Sequence, residues 1–128
     1  MIKLSVKVIK AWALLLVTLG YSLDLITTRI ALSYPNTIEL NPSYYLLGPT
    51  MFYALQVFFA CLLIVTILFA DRGFDALRHL GEFNGKPVWN KTKTMNFVCI
   101  FYLMLATYGL SRLICGWNNT ILIFQFLV

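Results

Sequence analysis

Charge is scarce in this chain. Of its 128 residues only 12% are Asp, Glu, Lys or Arg, against 60% hydrophobic and 16% aromatic, and the mean hydropathy is +0.80. Soluble domains carry about 25% charged residues and roughly 45–50% apolar ones, so the composition excludes a water-soluble globule and indicates an integral membrane protein. Histidine is nearly absent: His79 is the single one, which excludes multi-histidine metal centres of the zinc-hydrolase kind within one chain and leaves His79 as a solvated interfacial side chain. Cys61, Cys99 and Cys115 lie in or beside apolar runs with no Cys-x-x-Cys spacing and no even count, so they read as packed thiols. Ser22, Ser33, Ser43 and Ser111 lack a nucleophile-elbow context, and no second His or Lys stands at span depth to activate one. An intramembrane protease is thereby disfavoured. Internal repeats, low-complexity tracts, a heptad pattern and a Gly-xxx-Gly face are not evident either.

What is present is a set of long apolar runs. Their placement predicts an all-α membrane domain over residues 1–128, with spans at about 11–33, 50–70 and 94–115; each reaches the ~20 residues that a ~30 Å hydrocarbon core requires. Lys3, Lys7 and Lys10 followed by the apolar stretch Ala11 to Gly20 mimic a secretory signal, but Gly20-Tyr21-Ser22 is a poor cleavage site, so the segment reads as a signal-anchor and first span. Between spans two and three, residues 71–93 carry Phe74, Leu77 and Leu80 opposite Asp75, Arg78 and His79, the pattern of a short interfacial helix. Asn84-Gly85-Lys86-Pro87 reads as a turn, and Trp89 and Lys91 as headgroup anchors. After Gly116-Trp117-Asn118-Asn119 an apolar tail, 120–128, is about 14 Å long as helix. It cannot cross alone. A long or kinked third helix, or a short fourth C-terminal helix, is expected there.

The net charge of +5 does not point to nucleic acid, because the basic residues flank apolar runs as topology determinants do. Lys3, Lys7 and Lys10 precede span one, none lies between Ser33 and Thr50, and Arg72, Arg78, Lys86, Lys91 and Lys93 fill the 71–93 segment. The positive-inside rule then predicts a cytoplasmic N-terminus and a cytoplasmic 71–93 loop, with the Glu39 loop and the C-terminal region outside.

Against this apolar background Asp24 stands out, since an ionisable group inside a span is costly and calls for a partner or a task. Tyr21, Thr27 and Thr28 sit at i−3, i+3 and i+4, so one helix face carries four polar groups. Arg29 is displaced by about 140° around the helix from Asp24 and can snorkel. Arg112, some 18 residues into a span that begins inside, reaches a depth similar to Asp24, so an Asp24–Arg112 pair is expected, with Glu39 closing on Arg29 or Arg112. In the loop, Glu39 and Asn41 offer oxygens two residues apart. They read either as part of a hard-cation site with Asp24, Thr27 and Thr28, or, for Asn41 ahead of Pro42, as a helix N-cap with Pro at the first helical position. Asn118-Asn119-Thr120 fits the glycosylation acceptor pattern on the expected outer side, making Asn118 a candidate; Asn90-Lys91-Thr92 fits it on the inner side.

The combination Asp24-x-x-Thr27-Thr28 in a first span and Glu39-x-Asn41-Pro42 in the following loop resembles a widespread family of small prokaryotic polytopic membrane proteins of unknown function. The likeness covers roughly residues 21 to 42, and the rest matches in hydropathy. It implies three or four helices in a prokaryotic cell membrane, an Asn late in the last helix, for which Asn118 or Asn119 is placed, and a meeting of these polar residues. It implies no activity.

Little extramembrane mass, no catalytic set and an apolar tail too short to satisfy itself together point to a non-enzymatic accessory subunit of a larger membrane complex, of respiratory, photosynthetic or monooxygenase type. Its expected partners are other integral membrane subunits and lipid, with no cofactor and no nucleic acid. The alternative is an autonomous small transporter, channel or ion-binding protein, a homo-oligomer using Asp24, Glu39 and Asn41. In either case one intramembrane polar cluster, Asp24, Thr27, Thr28, Arg29, Glu39, Asn41 and Arg112, carries the interest.

Overall fold

The computed structural model describes residues 5–34, 37–39, 41–80, 82–83, 86–87 and 91–127. Three long helices dominate it: α1 (Val6–Ala31), α3 (Pro49–Leu80) and α4 (Lys91–Leu127), with a six-residue helix α2 (Pro42–Leu47) between the first two. All three long helices are long and apolar enough to cross a membrane. A minimal antiparallel ladder, Glu82–Phe83 with Lys86–Pro87, stands between α3 and α4. The expected Asn84-Gly85 turn and the Trp89 anchor lie outside the described residues.

Two expected boundaries move. The amphipathic segment with Phe74, Leu77 and Leu80 is helical, but it continues α3 without a break. Asp71-Arg72-Gly73 does not stop the helix, because Asp71 finds partners on both neighbouring helices and Gly73 costs only about 1 kcal/mol of propensity. Asp75 supports the last turns by pairing with Arg78 at 3.0 Å. Likewise, α4 runs through Gly116-Trp117-Asn118-Asn119 to Leu127, so the apolar tail belongs to the long third span and forms no separate fourth helix. The hydroxyl of Thr120 donates to the Gly116 carbonyl at 2.8 Å, and Asn119 has its own partner on α1, so the polar cluster interrupts nothing.

α1 and α4 run parallel and make the most extensive contact in the molecule. The seam on α1 comprises Ile9, Ala13, Val17, Gly20, Asp24 and Thr27, all buried, at steps of three or four residues that keep one stripe facing its partner. On α4 it runs through Thr94, Val98, Tyr102, Gly109 and Gly116. Glycines make the approach close. A Cβ on Gly109 would lie 2.5 Å from the Leu16 carbonyl carbon and the Val17 nitrogen, one on Gly116 would lie 2.8 Å from the Asp24 nitrogen, and one on Gly20 would overlap the Gly109 carbonyl oxygen. Gly109 and Gly116 are seven residues apart, two helical turns on one face. This small-residue crossing at heptad spacing is the packing device that in membranes substitutes for a hydrophobic driving force.

α3 is antiparallel to both and packs on them less deeply: only Phe52 and Ile67 are buried on it. Ile67 enters the core cluster with Ala13, Val17, Val98 and Tyr102. Gly48, at φ 75°, joins α2 to α3 in a backbone region that side chains with a Cβ rarely adopt. Its carbonyl accepts from Phe52 N at 3.0 Å, opening α3 immediately after the turn.

Candidate functional site: a polar cavity at one end of the bundle

Two polar clusters tie the three helices together. At one end, Lys10 of α1 pairs with Asp71 of α3 at 2.7 Å and also donates to the Leu68 carbonyl at 2.9 Å. Tyr102 of α4 donates its hydroxyl to the same Asp71. In the sequence Asp71 has the look of the polar end of a span, and the signal for this cluster is that Lys10 and Asp71 each border an apolar run, the two runs having opposite direction.

The second cluster lies 14 residues further along α1, about 21 Å at 1.5 Å per residue. Arg112 of α4 donates from Nη1 to Asp24 Oδ2 at 2.8 Å. Its Nη2 reaches Gln56 Oε1 of α3 at 3.3 Å and the Tyr108 hydroxyl at 3.2 Å. The guanidinium lies over the Tyr21 ring, 4.9 Å from the centroid, and the Tyr21 and Tyr108 hydroxyls are 3.0 Å apart. So the matched depth of Asp24 and Arg112 becomes an ion pair, with Asp24 only 8% exposed. The charge of Asp24 is balanced within one chain, and the planar fork of Arg112 makes the several simultaneous bonds that a lysine could not.

Around this pair opens a cavity of about 680 Å³, lined by residues of α1, α3, α4 and the 37–41 loop. Asp24, Thr28, Glu39, Asn41, Arg112 and Asn118, all singled out from sequence, meet on its wall. Asn119, the other candidate for the late asparagine, donates from Nδ2 to Thr28 Oγ1 at 2.8 Å, holding α4 to α1 beyond the ion pair. The loop is folded against the end of α1 by Thr37, whose hydroxyl serves the carbonyls of Ala31 at 2.6 Å and Tyr34 at 2.8 Å. Glu39 Oε1 accepts from Asn41 N at 3.0 Å, and Asn41 Oδ1 caps α2 through Ser43 N at 3.0 Å. Asn41 is thus both an N-cap and a cavity wall.

Two of the expected residues stand apart. Thr27 is buried, but its hydroxyl is spent on the Leu23 carbonyl at 2.7 Å and it does not line the cavity. Arg29 is exposed and also off the wall. Glu39 closes on neither Arg29 nor Arg112: among the described residues it makes no ion pair, because Arg112 is occupied by Asp24, Gln56 and Tyr108. The oxygen cage imagined for a hard cation is correspondingly incomplete, with Thr27 turned to its own helix and Asp24 committed to Arg112. No group of three or more His, Cys, Asp or Glu able to hold a metal occurs among the described residues. Gln56, Phe52, Tyr108 and Cys115 complete the site and were not named for it from sequence. Gln56 was legible as the lone amide of its span; the others looked like ordinary apolar-run residues.

No family model, no curated protein and no solved structure matches this chain.

Proposed function

We propose that the protein is a small integral-membrane binding protein, which takes up a small polar ligand in the cavity beside Asp24 and Arg112. The single observation that carries this reading is the convergence of Asp24, Thr28, Glu39, Asn41, Arg112 and Asn118 on one open cavity. Its size falls within the roughly 300–1,000 Å³ of small-molecule sites. With the N-terminus and the 71–93 segment cytoplasmic, the cavity opens toward the outer face. The level of Lys10 and Asp71 then marks the inner boundary, and the cavity starts about 9 Å short of the outer edge of a ~30 Å core. Because Asp24 is neutralised by its own chain and the apolar tail is part of α4, neither feature requires another polypeptide. Intramembrane ionisable groups lining a cavity are the usual mark of a substrate or ion path.

The test is non-denaturing mass spectrometry of the gently extracted, full-length protein. A retained small molecule that is lost on Glu39→Gln supports binding. Comigration with unrelated membrane subunits and no retained small molecule would overturn it in favour of an accessory subunit. That second reading has one observation on its side: Ile38, Leu46 and Phe124 around the same end are 74%, 84% and 63% exposed, an apolar rim that lipid or a neighbouring subunit would cover.

A further inference from the structure

We infer that the cavity selects a ligand bearing a primary ammonium group; this deepens the binding reading above and rests on it. The reason lies in which polar atoms the fold has already used. Cationic donors on the wall are nearly all taken: Arg112 is the one Lys or Arg among the described lining residues, and four of its five N–H groups are engaged, with Asp24, Gln56 and twice with Tyr108, which leaves one Nη1 hydrogen. A phosphate or carboxylate entering the cavity would find a single N–H of Arg112 and would have to break the existing bonds to make a bidentate pair.

Neutral amide donors remain on Asn41, Gln56 and Asn118, but, that one N–H aside, the charged groups that remain are acceptors. Asp24 uses Oδ2 for Arg112, and among the described residues its Oδ1 has no donor. Glu39 uses Oε1 for Asn41 N, and its Oε2 likewise has none. Asn119 spends Nδ2 on Thr28 and leaves its carbonyl oxygen. Formal charge points the same way: among the described residues the wall holds two carboxylates and one guanidinium, so the Glu39 carboxylate has no counter-charge among them. Arg29, the other cation near the end of α1, is exposed and off the wall. A site with two carboxylate oxygens left without donors and one carboxylate more than guanidinium favours a group that brings both positive charge and N–H donors. A primary ammonium does both, while a quaternary one brings charge without donors. Buried Phe52 adds an aromatic wall that tolerates a cation. The ammonium could belong to a free amine or to a lipid headgroup, since the cavity is open and near the expected outer boundary.

Cys115 lines the cavity and is a free thiol, which gives a readout independent of any activity. In full-length protein carrying Cys61→Ser and Cys99→Ser, the rate of Cys115 alkylation by iodoacetamide is measured in detergent with ethylammonium chloride, tetramethylammonium chloride or sodium phosphate at equal ionic strength. Ethylammonium is expected to slow alkylation about tenfold at saturation, and Glu39→Gln to weaken that protection by a similar factor; tetramethylammonium and phosphate are expected to protect far less. Protection by phosphate equal to that by ethylammonium would overturn the ammonium assignment while leaving the cavity a binding site. Unchanged ethylammonium protection in Glu39→Gln, with the variant's melting temperature preserved, would overturn it too. No protection by any probe, in protein that also retains no small molecule, would overturn both readings. Nanodiscs separate the sources: slower alkylation in phosphatidylethanolamine than in phosphatidylcholine assigns the ammonium to lipid, and equal rates with protection by added ethylammonium assign it to a free amine.

Discussion

Gly116 of α4 lies against the backbone of Asp24 on α1, so close that a methyl at position 116 would come 2.8 Å from the Asp24 nitrogen. One turn earlier on α4, Arg112 holds the Asp24 carboxylate. The missing side chain and the ion pair are therefore one device: the glycine lets the helices approach, and the approach sets the length of the pair and the position of the cavity above it.

The glycine seam makes a direct prediction. Gly109→Ala must push α1 and α4 apart, because the new Cβ meets backbone rather than a flexible side-chain end. It should lose about 1–3 kcal/mol in a denaturant titration of the detergent-solubilised protein. Gly73→Ala, at a helical position with nothing within 4 Å, should be neutral or gain up to about 1 kcal/mol. Equal effects of the two would remove the seam from the account.

Arg112 and Arg29 should separate sharply. Arg112→Ala leaves Asp24 without its counter-ion in an environment where removing one partner of a buried pair costs about 3–5 kcal/mol, whereas exposed Arg29→Ala should stay within about 0.5 kcal/mol. Arg112→Lys should recover only part of the loss, since an ammonium cannot pair with Asp24, reach Gln56 and stack on Tyr21 together. Melting temperatures of the three variants in one detergent decide this.

At the opposite end the expectation is milder. Lys10 and Asp71 keep 23% and 45% of their side-chain surface exposed, so the coupling between Lys10→Met and Asp71→Asn should be about 1 kcal/mol or less. Tyr102→Phe should weaken Asp71 further while leaving the packed ring in place. A coupling as large as that of the Asp24 pair would mean that the two ends are not electrostatically different.

Orientation can be checked by a single thiol. In a cysteine-free background, Thr37→Cys should react with a membrane-impermeant maleimide added outside intact cells, and a cysteine at Asp75 should not. Reaction at position 75 alone would invert the topology and place the cavity on the cytoplasmic side.

Much of this arrangement was legible in the residues, and the reasons for the exceptions are physical. Hydropathy located three spans, and counting residues from the basic ends brought Asp24 and Arg112 to one depth. What a linear reading could not supply was helix rotation. Gly20, Gly109 and Gly116 looked isolated because the small-residue seam is shared between two helices and visible only when their stripes are laid together. Asp71 reads as a helix end, since polar residues bordering apolar runs usually are, and Asn118-Asn119 leaves a long third helix and a short fourth one both open; in the fold Asp71 is met by Lys10 and Tyr102, and Asn119 by Thr28, within one long α4. Glu39 was expected to seek an arginine.

The most direct measurement is a double-mutant cycle at Asp24 and Arg112, using Asp24→Asn and Arg112→Gln in the purified chain with no other polypeptide present. A coupling of about 2–4 kcal/mol is expected in that isolated protein. Additive single effects, or a chain that folds stably only after another subunit is added, would contradict it.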